Sequence, residues 1–287
     1  VWAPSLRFHQ NRYWIFYGDP DLGVFMLRSE NPAGPWNPPR LVHQAKGWID
    51  PCPLWDDDGR AYLVHAWAKT RAGFNSLLTV HQMSPDGEKL LDAGVTVFDG
   101  HENHPIIEGP KFYQRDGWYY LFAPAGGVAT GWQTVLRSRS VYGPYEDRIV
   151  LKQGNTPVNG PHQGGWVELA NGESWFVHFQ DRGPYGRILH LQPLRWENGW
   201  PFIGNDQDGD GIGEPVASCA VPGTDKASPE LCIPTTDEFT SNQLGLQWQW
   251  QANPDAAWYD LSSRPGFLRL NAIPPPGRLA NLWLLPN

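Results

Sequence analysis

A repeat with a period of about fifty residues constrains the fold of this chain more than any other feature of its sequence. Four segments share one order of features: a proline near the start, a short apolar stretch, a polar turn and a second stretch rich in aromatic residues. They read WAPSLRFHQNRYWIFYG from Trp2, IDPCPLWDDDGRAYLVHAW from Ile49, IEGPKFYQRDGWYYLFAPA from Ile107 and NGPHQGGWVELANGESWFVHF from Asn159. Repeats of this length indicate stacked supersecondary units.

The polar turns inside the four segments are typical of β-hairpins. They read HQNR, DDDGR, QRDG and ANGE, and Asn, Asp and Gly tolerate the positive φ angles of tight turns. A second pair of segments supports the repeat, because LRSENPAGPW (27–36) matches LRSRSVYGPY (136–145). Each of these follows a hairpin, which predicts an outer strand and a further turn.

About four short strands in each period of fifty residues are typical of a β-propeller, in which four-stranded blades surround a central channel. An immunoglobulin-like sandwich has no such internal repeat. The 287 residues include 31 Gly, 28 Pro and 16 Trp, a composition that favours short strands over long helices. The sequence therefore predicts an all-β fold in which the first strand of each blade lines the channel.

The stretch WIDPCPLWDDDGRAYLV (48–64) contains aspartates of two kinds. Asp56, Asp57 and Asp58 fall in a hairpin turn at the outer end of the strand, where aspartates commonly bond the backbone and meet solvent. Asp50 stands alone at the start of the inner strand. Asp50 is therefore predicted to face the channel, and the other three are predicted to form the turn.

The repeat also predicts which residues share the channel with Asp50. It aligns Asp50 with Ala3 in the first segment, with Glu108 in the third and with Pro161–His162 in the fourth. Two carboxylates and a histidine are thus expected to converge on one point. Two buried carboxylates raise each other's pKa, an unfavourable arrangement that commonly marks a functional site.

Charge and hydropathy exclude several classes of function. The net charge is −8 and no cluster of Lys and Arg stands out, so neither nucleic acid nor an anionic membrane surface is an expected partner. No apolar run has the length of a transmembrane span. The first residues, VWAPSLRF, are not a signal peptide and lack an initiator Met, so we interpret the sequence as a fragment or processed form. Its localisation is not fixed by the N-terminus, and an extracellular or periplasmic location is favoured.

Together, the repeated segments resemble glycoside hydrolase family 43, the five-bladed propeller arabinofuranosidases and β-xylosidases. The matching pieces are WAPSLRFHQNRYWIFYG, IDPCPLWDDDGRAYLVHAW, EGPKFYQRDGWYYLFAPAGG, GPHQGGWVE and GRILHLQPLRW. They come in family order and cover residues 1–204. The resemblance implies an inverting hydrolase with three acidic residues: a general base, a general acid and an Asp that orients the acid and tunes its pKa.

The resemblance assigns two of these acids. Glu108 in EGPK matches the general acid, and Asp50 in IDP matches the tuning residue. A glycosidic oxygen must be protonated as its bond breaks, so the acid must hold its proton near neutral pH. A neighbouring anionic Asp50 would raise the pKa of Glu108 accordingly. The alternative for Glu108 is a structural carboxylate that bonds strand-end amides.

Four further residues are assigned to substrate or metal by the same resemblance. Arg187 in GRILHLQP matches an arginine that reaches the sugar hydroxyls, and a guanidinium presents several donors in a fixed fork. Trp2, next to Ala3, resembles the aromatic wall of the sugar subsite. His162 in GPHQGG resembles a channel histidine that contacts a central calcium ion. The alternatives are an ordinary ion pair for Arg187, and core positions for Trp2 and His162.

The sequence departs from the family at the general base. In the family this Asp lies in a first blade upstream of the WAP strand, and the chain as given begins at VWAP. We therefore expect a five-bladed propeller whose first blade, with its base, is missing or incomplete. Asp19 and Asp21 in YGDPDLG are interpreted as turn residues that end a hairpin.

The whole chain is expected to divide into three parts. The propeller is expected over 1–216, a Pro/Ser/Thr-rich linker over 217–238 and the start of a β-sandwich domain, truncated at the C-terminus, over 239–287. In this last part Trp248, Trp250 and Trp258 are predicted to lie in the sandwich core.

One acidic loop and one cysteine pair remain open. Asp206, Asp208 and Asp210 in NDQDGDGIGEP are spaced like the first half of a calcium loop, but Ala217 stands where the EF-hand pattern requires Glu. A solvated turn is the alternative. Cys219 and Cys232 flank a Pro/Gly-rich loop and either form a disulfide or remain thiols. No cofactor is required for the expected reaction, and a structural calcium ion is a further expectation.

The leading hypothesis is a glycosidase that removes terminal arabinofuranose or xylose from hemicellulose oligosaccharides with inversion. The second is a carbohydrate-binding propeller without a general base. The third, a protein-interaction propeller, does not explain why Asp50, Glu108 and Arg187 should surround one channel. The sequence favours neither sugar and no particular oligomeric state.

Overall fold

Antiparallel strands make up most of the regular structure of the chain. The computed structural model describes residues 1–223, 236–245, 247–248 and 255–272. It divides into two units, one formed by residues 1–182 with 187–223 and the other by residues 183–186 with 224–287. The predicted linker, 217–238, lies partly outside the described residues, and its boundaries stay a prediction.

Sixteen strands of the first unit form four sheets of four strands each, and each sheet is a simple antiparallel meander. Blade 1 contains β1 Trp2–His9, β2 Arg12–Asp19, β3 Gly23–Ser29 and β4 Arg40–Gln44. Blade 2 contains β5 Trp48–Trp55, β6 Ala61–Trp67, β7 Leu77–Met83 and β8 Val95–Asp99. Blade 3 contains β9 Lys111–Arg115, β10 Trp118–Ala125, β11 Trp132–Ser138 and β12 Glu146–Leu151. Blade 4 contains β13 His162–Glu168, β14 Ser174–Asp181, β15 Arg187–Glu197 and β16 Trp200–Ile203.

The helices of the described residues are short. They are α1 Lys69–Ala72, α2 Gly127–Thr130 and two 3₁₀ turns at Gly183–Tyr185 and Ala256–Trp258. None of them is long and apolar enough to cross a membrane. In the second unit, β17 Tyr259–Asp260 pairs with β18 Arg269–Leu270.

The predicted hairpin turns have the expected backbone geometry. In blade 1 the turn between β1 and β2 places Gln10 and Asn11 at φ 50° and 58°. In blade 3 the turn between β9 and β10 places Asp116 and Gly117 at φ 51° and 72°. Two successive residues with positive φ form a type I′ turn, whose twist matches that of the flanking strands.

Three apolar clusters hold successive blades face to face. Between blades 1 and 2 lie, among others, Phe16 and Leu63, both fully buried. Between blades 2 and 3 lie Val64 and Phe112, and between blades 3 and 4 Phe122 packs with its neighbours. This stacking confirms the all-β fold and the propeller arrangement. The described residues contain four blades, and the fifth blade of the predicted fold is not among them.

An irregularity in three inner strands fixes the geometry of the channel. The pairing register shifts between Trp2 and Ser5 in β1, between Ile49 and Cys52 in β5, and between His162 and Gly165 in β13. Such bulges bend a strand and redirect the side chains beside them. The shifted residues of each strand therefore differ in orientation from the regular alternation along the rest of the strand.

Candidate active site

The shifted strand ends open into one cavity of about 400 Å³. Its lining comes from blades 1, 2 and 4 and from the segment that leads into blade 3, with carboxyl, amide, guanidinium and aromatic groups. The lining residues are Val1, Trp2, Ala3, Ile49, Asp50, Glu108, Gln163 and Arg187. The structure therefore brings together five of the six residues assigned from the sequence. The sixth, His162, is fully buried beside the cavity, 3.7 Å from Glu108.

Asp50 is a buried carboxylate held by backbone geometry. It has φ 56°, is 2 % exposed, and its Oδ2 accepts a hydrogen bond from the Gly109 N–H at 2.8 Å. Burial raises the pKa of Asp50, while the Lys111 cation, the Gly109 N–H, Gln163 and Arg187 act in the opposite direction. Burial outweighs these neighbours, so the pKa of Asp50 is raised overall, although each neighbour favours the charged form of the carboxyl.

Glu108 differs from Asp50 in exposure and in partners. Its side chain is 26 % exposed, so it reaches the cavity. Burial first, and the negative charge of Asp50 second, raise the pKa of Glu108 to about 7, against weaker opposing effects of Gln163 and Arg187. A carboxyl group with such a pKa holds a proton near neutral pH and can donate it to a leaving oxygen.

Gln163 lines the cavity, and the sequence interpretation missed it. The sequence alignment placed the counterpart of Asp50 at Pro161–His162, but the strand register shows otherwise. Ile49 and His162 each precede the shift, so Asp50 and Gln163 occupy equivalent positions, and both have positive φ, 56° and 51°. The pairing register of the two hairpins, which the structure provides, identifies Gln163.

Arg187 lies at the start of β15 over an aromatic ring. Its guanidinium carbon is 4.6 Å from the centroid of the Phe179 ring, a distance at which cation–π attraction contributes. Phe179 in turn stacks with the His162 ring at 5.8 Å between centroids. Phe179 therefore supports the guanidinium that lines the cavity.

His162 is an orphaned imidazole. It is fully buried, and within the described part of the chain neither ring nitrogen has a hydrogen-bond partner. Burial, and then the Arg187 charge, lower the pKa of His162 to about 4, so the ring is neutral at ordinary pH.

The calcium contact predicted for His162 has no cluster of three metal-ligating side chains beside it among the described residues. Calcium takes six to eight oxygen ligands. Among the described residues, the one group of three metal-ligating side chains is Asp206, Asp208 and Asp210, so His162 has no such cluster around it. The central calcium ion stays a prediction that would depend on water ligands, and no chemical step below depends on it.

The acidic loop is internally satisfied by the chain. Asp206 accepts hydrogen bonds from the Gly209 and Gly211 N–H groups. The Lys152 ammonium group lies 3.2 Å from Asp208 and also pairs with Asp210. These contacts are those of a connecting turn with its own counter-ion, while the calcium alternative stays a prediction.

The aspartates assigned to turns lie in turns. Asp19 caps its turn by accepting from the Asp21 and Leu22 N–H groups. Asp21 pairs with Arg71 at 2.7 Å on the surface. Neither aspartate is among the residues that line the cavity.

The DDDG turn also lies outside the cavity. Asp56 accepts from the Tyr119 hydroxyl, Asp57 is exposed, and Asp58 pairs with Arg60. These contacts are those of a hairpin end, as the sequence predicts.

Two of the C-terminal interpretations stay predictions. Cys232 and Trp250 lie outside the described residues, so neither the Cys219–Cys232 pairing nor the position of Trp250 is described. Trp248 is 38 % exposed and its indole N–H donates to Asp237 at 2.7 Å. Trp258 lies in a 3₁₀ turn and is partly buried.

Glu108 should make the fold less stable as the pH rises. Its pKa is about 7 when folded against an ordinary 4.5, so between these values the folded chain binds more protons than the unfolded chain, and stability falls with rising pH. This difference corresponds to about 3 kcal/mol at pH 8. We expect Glu108→Gln to raise the free energy of unfolding by that order at pH 8 and by almost nothing at pH 4.

Urea denaturation at both pH values measures this effect. Glu102→Gln, at an exposed glutamate, is the matched control and should change stability little at either pH. An equal effect of Glu108→Gln at pH 4 and pH 8 would contradict the raised pKa.

Comparisons with known proteins agree with the geometry. Residues 1–201 match the family model "Glycosyl hydrolases family 43", and residues 236–282 match "Beta xylosidase C-terminal Concanavalin A-like domain". The second match supports the predicted sandwich domain after the propeller.

Individual relatives extend the comparison. The chain is 50 % identical to a putative β-xylosidase of Xylanibacter ruminicola, covering 95 % of this chain and 50 % of the relative. It is 30 % identical to a non-reducing end α-L-arabinofuranosidase of Bacteroides ovatus, covering 94 % and 51 %. The solved structure of a xylan β-1,4-xylosidase from Bacillus halodurans superposes with a TM-score of 0.75 at 27 % identity, covering 95 % and 55 %. The chain thus spans about half the length of the relatives it matches.

Proposed function

The chain belongs to glycosyl hydrolase family 43, and from that premise we propose that it forms the propeller part of a glycosidase. The substrate class would be hemicellulose oligosaccharides, and the released sugar a terminal xylose or arabinofuranose. The names of the relatives, a β-xylosidase and an arabinofuranosidase, support both sugars.

One observation carries the proposal. A partly exposed carboxyl, Glu108, has a pKa of about 7 and shares a polar cavity with the buried carboxyl of Asp50. A structural carboxylate has no need of a raised pKa or of access to a cavity. A general acid needs both, because it must carry a proton at neutral pH and deliver it to the substrate.

The proposed roles follow from position. Glu108 would protonate the glycosidic oxygen as its bond to the anomeric carbon breaks, and the leaving alcohol would depart neutral. Asp50, in its ionised form, would keep the proton on Glu108. Arg187, supported by Phe179, would donate to sugar hydroxyls, and Trp2 would provide an apolar wall for the ring.

An inverting reaction also requires a base that takes a proton from the attacking water. Among the described residues, the carboxyl groups that line the cavity are Asp50 and Glu108, to which other roles are assigned here. The family resemblance assigns the base to a third Asp. Turnover and sugar binding therefore need to be measured separately.

Hydrolysis of 4-nitrophenyl β-D-xyloside and α-L-arabinofuranoside by the protein tests the function. We expect turnover of at least one substrate, with inversion at the anomeric carbon seen by proton NMR, and a lower rate in Glu108→Gln. Titration calorimetry with xylose and arabinose runs alongside. Folded protein that binds a pentose without turnover would identify a carbohydrate-binding propeller, and protein that does neither would refute the proposal.

A further inference from the structure

One side-chain amide lies between the two carboxyls of the cavity. The Nε2 atom of Gln163 is 3.4 Å from Oδ2 of Asp50 and 3.4 Å from Oε1 of Glu108. A primary amide nitrogen carries two hydrogens, so it can donate one to each carboxyl group. Gln163 comes from blade 4, whereas Asp50 and Glu108 come from blade 2 and from the segment that leads into blade 3.

The backbone around Gln163 is shaped to hold the amide there. Gln163 has φ 51°, in the left-handed backbone region that residues other than glycine seldom adopt. Its Oε1 is buried without a hydrogen-bond partner among the residues that the structure describes, and it lies against Gly109, where an added Cβ would come within 2.4 Å of it. Gly109 also donates its N–H to Asp50. The absence of a side chain at Gly109 therefore makes room for the amide, and its N–H holds the other side of Asp50.

Strain and an orphaned polar atom at one residue are features of a functional position. The left-handed backbone of Gln163 turns its side chain towards the carboxyls, just as the equivalent backbone of Asp50 directs its own carboxylate.

We propose that Gln163 is a positioning residue that links Glu108 to Asp50 through one shared amide nitrogen, and so fixes the direction in which Glu108 presents its proton. The inference rests on the proposed roles of Glu108 and Asp50. Gln163 itself does not exchange a proton with the substrate. Its loss would leave Glu108 free to rotate away from the leaving oxygen.

The amide protons of Gln163 test this geometry without any need for turnover. In protein labelled with ¹⁵N-glutamine, the two side-chain protons of Gln163 are assigned by their disappearance in Gln163→Asn, a residue that tolerates the left-handed backbone. At pH 8 we expect Asp50→Asn to shift one of the two protons upfield and Glu108→Gln to shift the other. Gln44, exposed at the end of β4, provides the control resonance that stays in place.

A shift of neither proton, or of the same proton in both variants, would overturn the proposal. Since this readout needs no substrate, it separates the placement of Gln163 from the proposed function. If the two protons shift as expected but the protein has no turnover, the placement of Gln163 is supported and the proposed glycosidase function is refuted. If the protein has turnover but the protons do not shift as expected, the glycosidase function is supported and the placement of Gln163 is refuted.

Kinetics provide the second readout. In the active protein we expect Gln163→Leu to lower kcat for phenyl pentosides by about a hundredfold, the order that misplacing a catalytic group can cost, with little change in KM. The loss should be much smaller for 2,4-dinitrophenyl pentosides, whose leaving groups need no proton. Gln44→Leu should leave both rates unchanged. Equal losses on the two substrates would contradict a role that acts through Glu108.

Discussion

Glu108→Gln is expected to reduce kcat for phenyl pentosides by about a thousandfold, within the range that general acid catalysis contributes. A phenolate leaves slowly unless it is protonated as the bond breaks, and glutamine has no proton to donate. A 2,4-dinitrophenolate leaves readily as the anion, so we expect turnover of that pentoside to fall much less. The ratio of the two rates is therefore the measurement of interest.

The matched control for this prediction is Glu102→Gln, an identical change at an exposed site. It should leave both rates unaltered. An equal loss of both rates in Glu108→Gln, with folding intact, would mean that Glu108 contributes to structure or binding and that the proton comes from another group.

Asp50→Asn is expected to move the alkaline limb of the pH profile of kcat/KM to lower pH. Glu108 works as an acid only while protonated, so activity is lost as the pH rises through its pKa of about 7. The Asp50 charge is the second cause of that raised pKa, after burial, and asparagine removes the charge. The midpoint of the alkaline limb should therefore fall to lower pH but stay above 4.5, the ordinary pKa of a glutamate carboxyl, because Glu108 is still buried.

The same variant should also lower the rate at neutral pH, since a stronger acid in the resting enzyme is protonated in a smaller fraction of molecules at that pH. Asp57→Asn, in the exposed DDDG turn, should change neither the limb nor the rate. An alkaline limb that stays in place or rises in Asp50→Asn would show that the two carboxyls are not coupled in the folded protein.

The sequence predicts the propeller because each repeat shows two independent patterns, one of turn residues and one of apolar residues. Turn residues such as Asn11 and Gly117 mark each hairpin, and the apolar residues between them alternate with the period of a strand. Residues at equivalent positions of equivalent blades must meet near the axis. This reasoning, combined with the family resemblance, was enough to place Asp50 and Glu108 at one cavity.

Gln163 was beyond this reasoning because its position depends on a bulge. The shift of register between His162 and Gly165 moves the residue that faces the cavity by one position, and a bulge leaves no reliable mark in a single sequence. Glutamine is also not a titratable residue, so a search for acids and bases passes over it. The interpretation stopped at His162, which proved to be buried beside the cavity.

The pKa of Glu108 had no quantitative signal in the sequence either. The motif EGPK places a carboxyl at the strand start, but the raised pKa comes from burial by residues of several blades and from the distance to Asp50. These are properties of the assembled channel. The burial of Glu108 and its distance to Asp50 exist only after the blades have packed against one another.

The most direct measurement of the central claim is the titration of the Glu108 carboxyl in the folded protein. In protein with ¹³C-labelled glutamate, the carboxyl resonance of Glu108 is identified by its absence in Glu108→Gln. We predict a midpoint near pH 7 that falls in Asp50→Asn. A midpoint near 4.5, unaffected by Asp50, would show that Glu108 is an ordinary carboxylate and would contradict its assignment as the general acid.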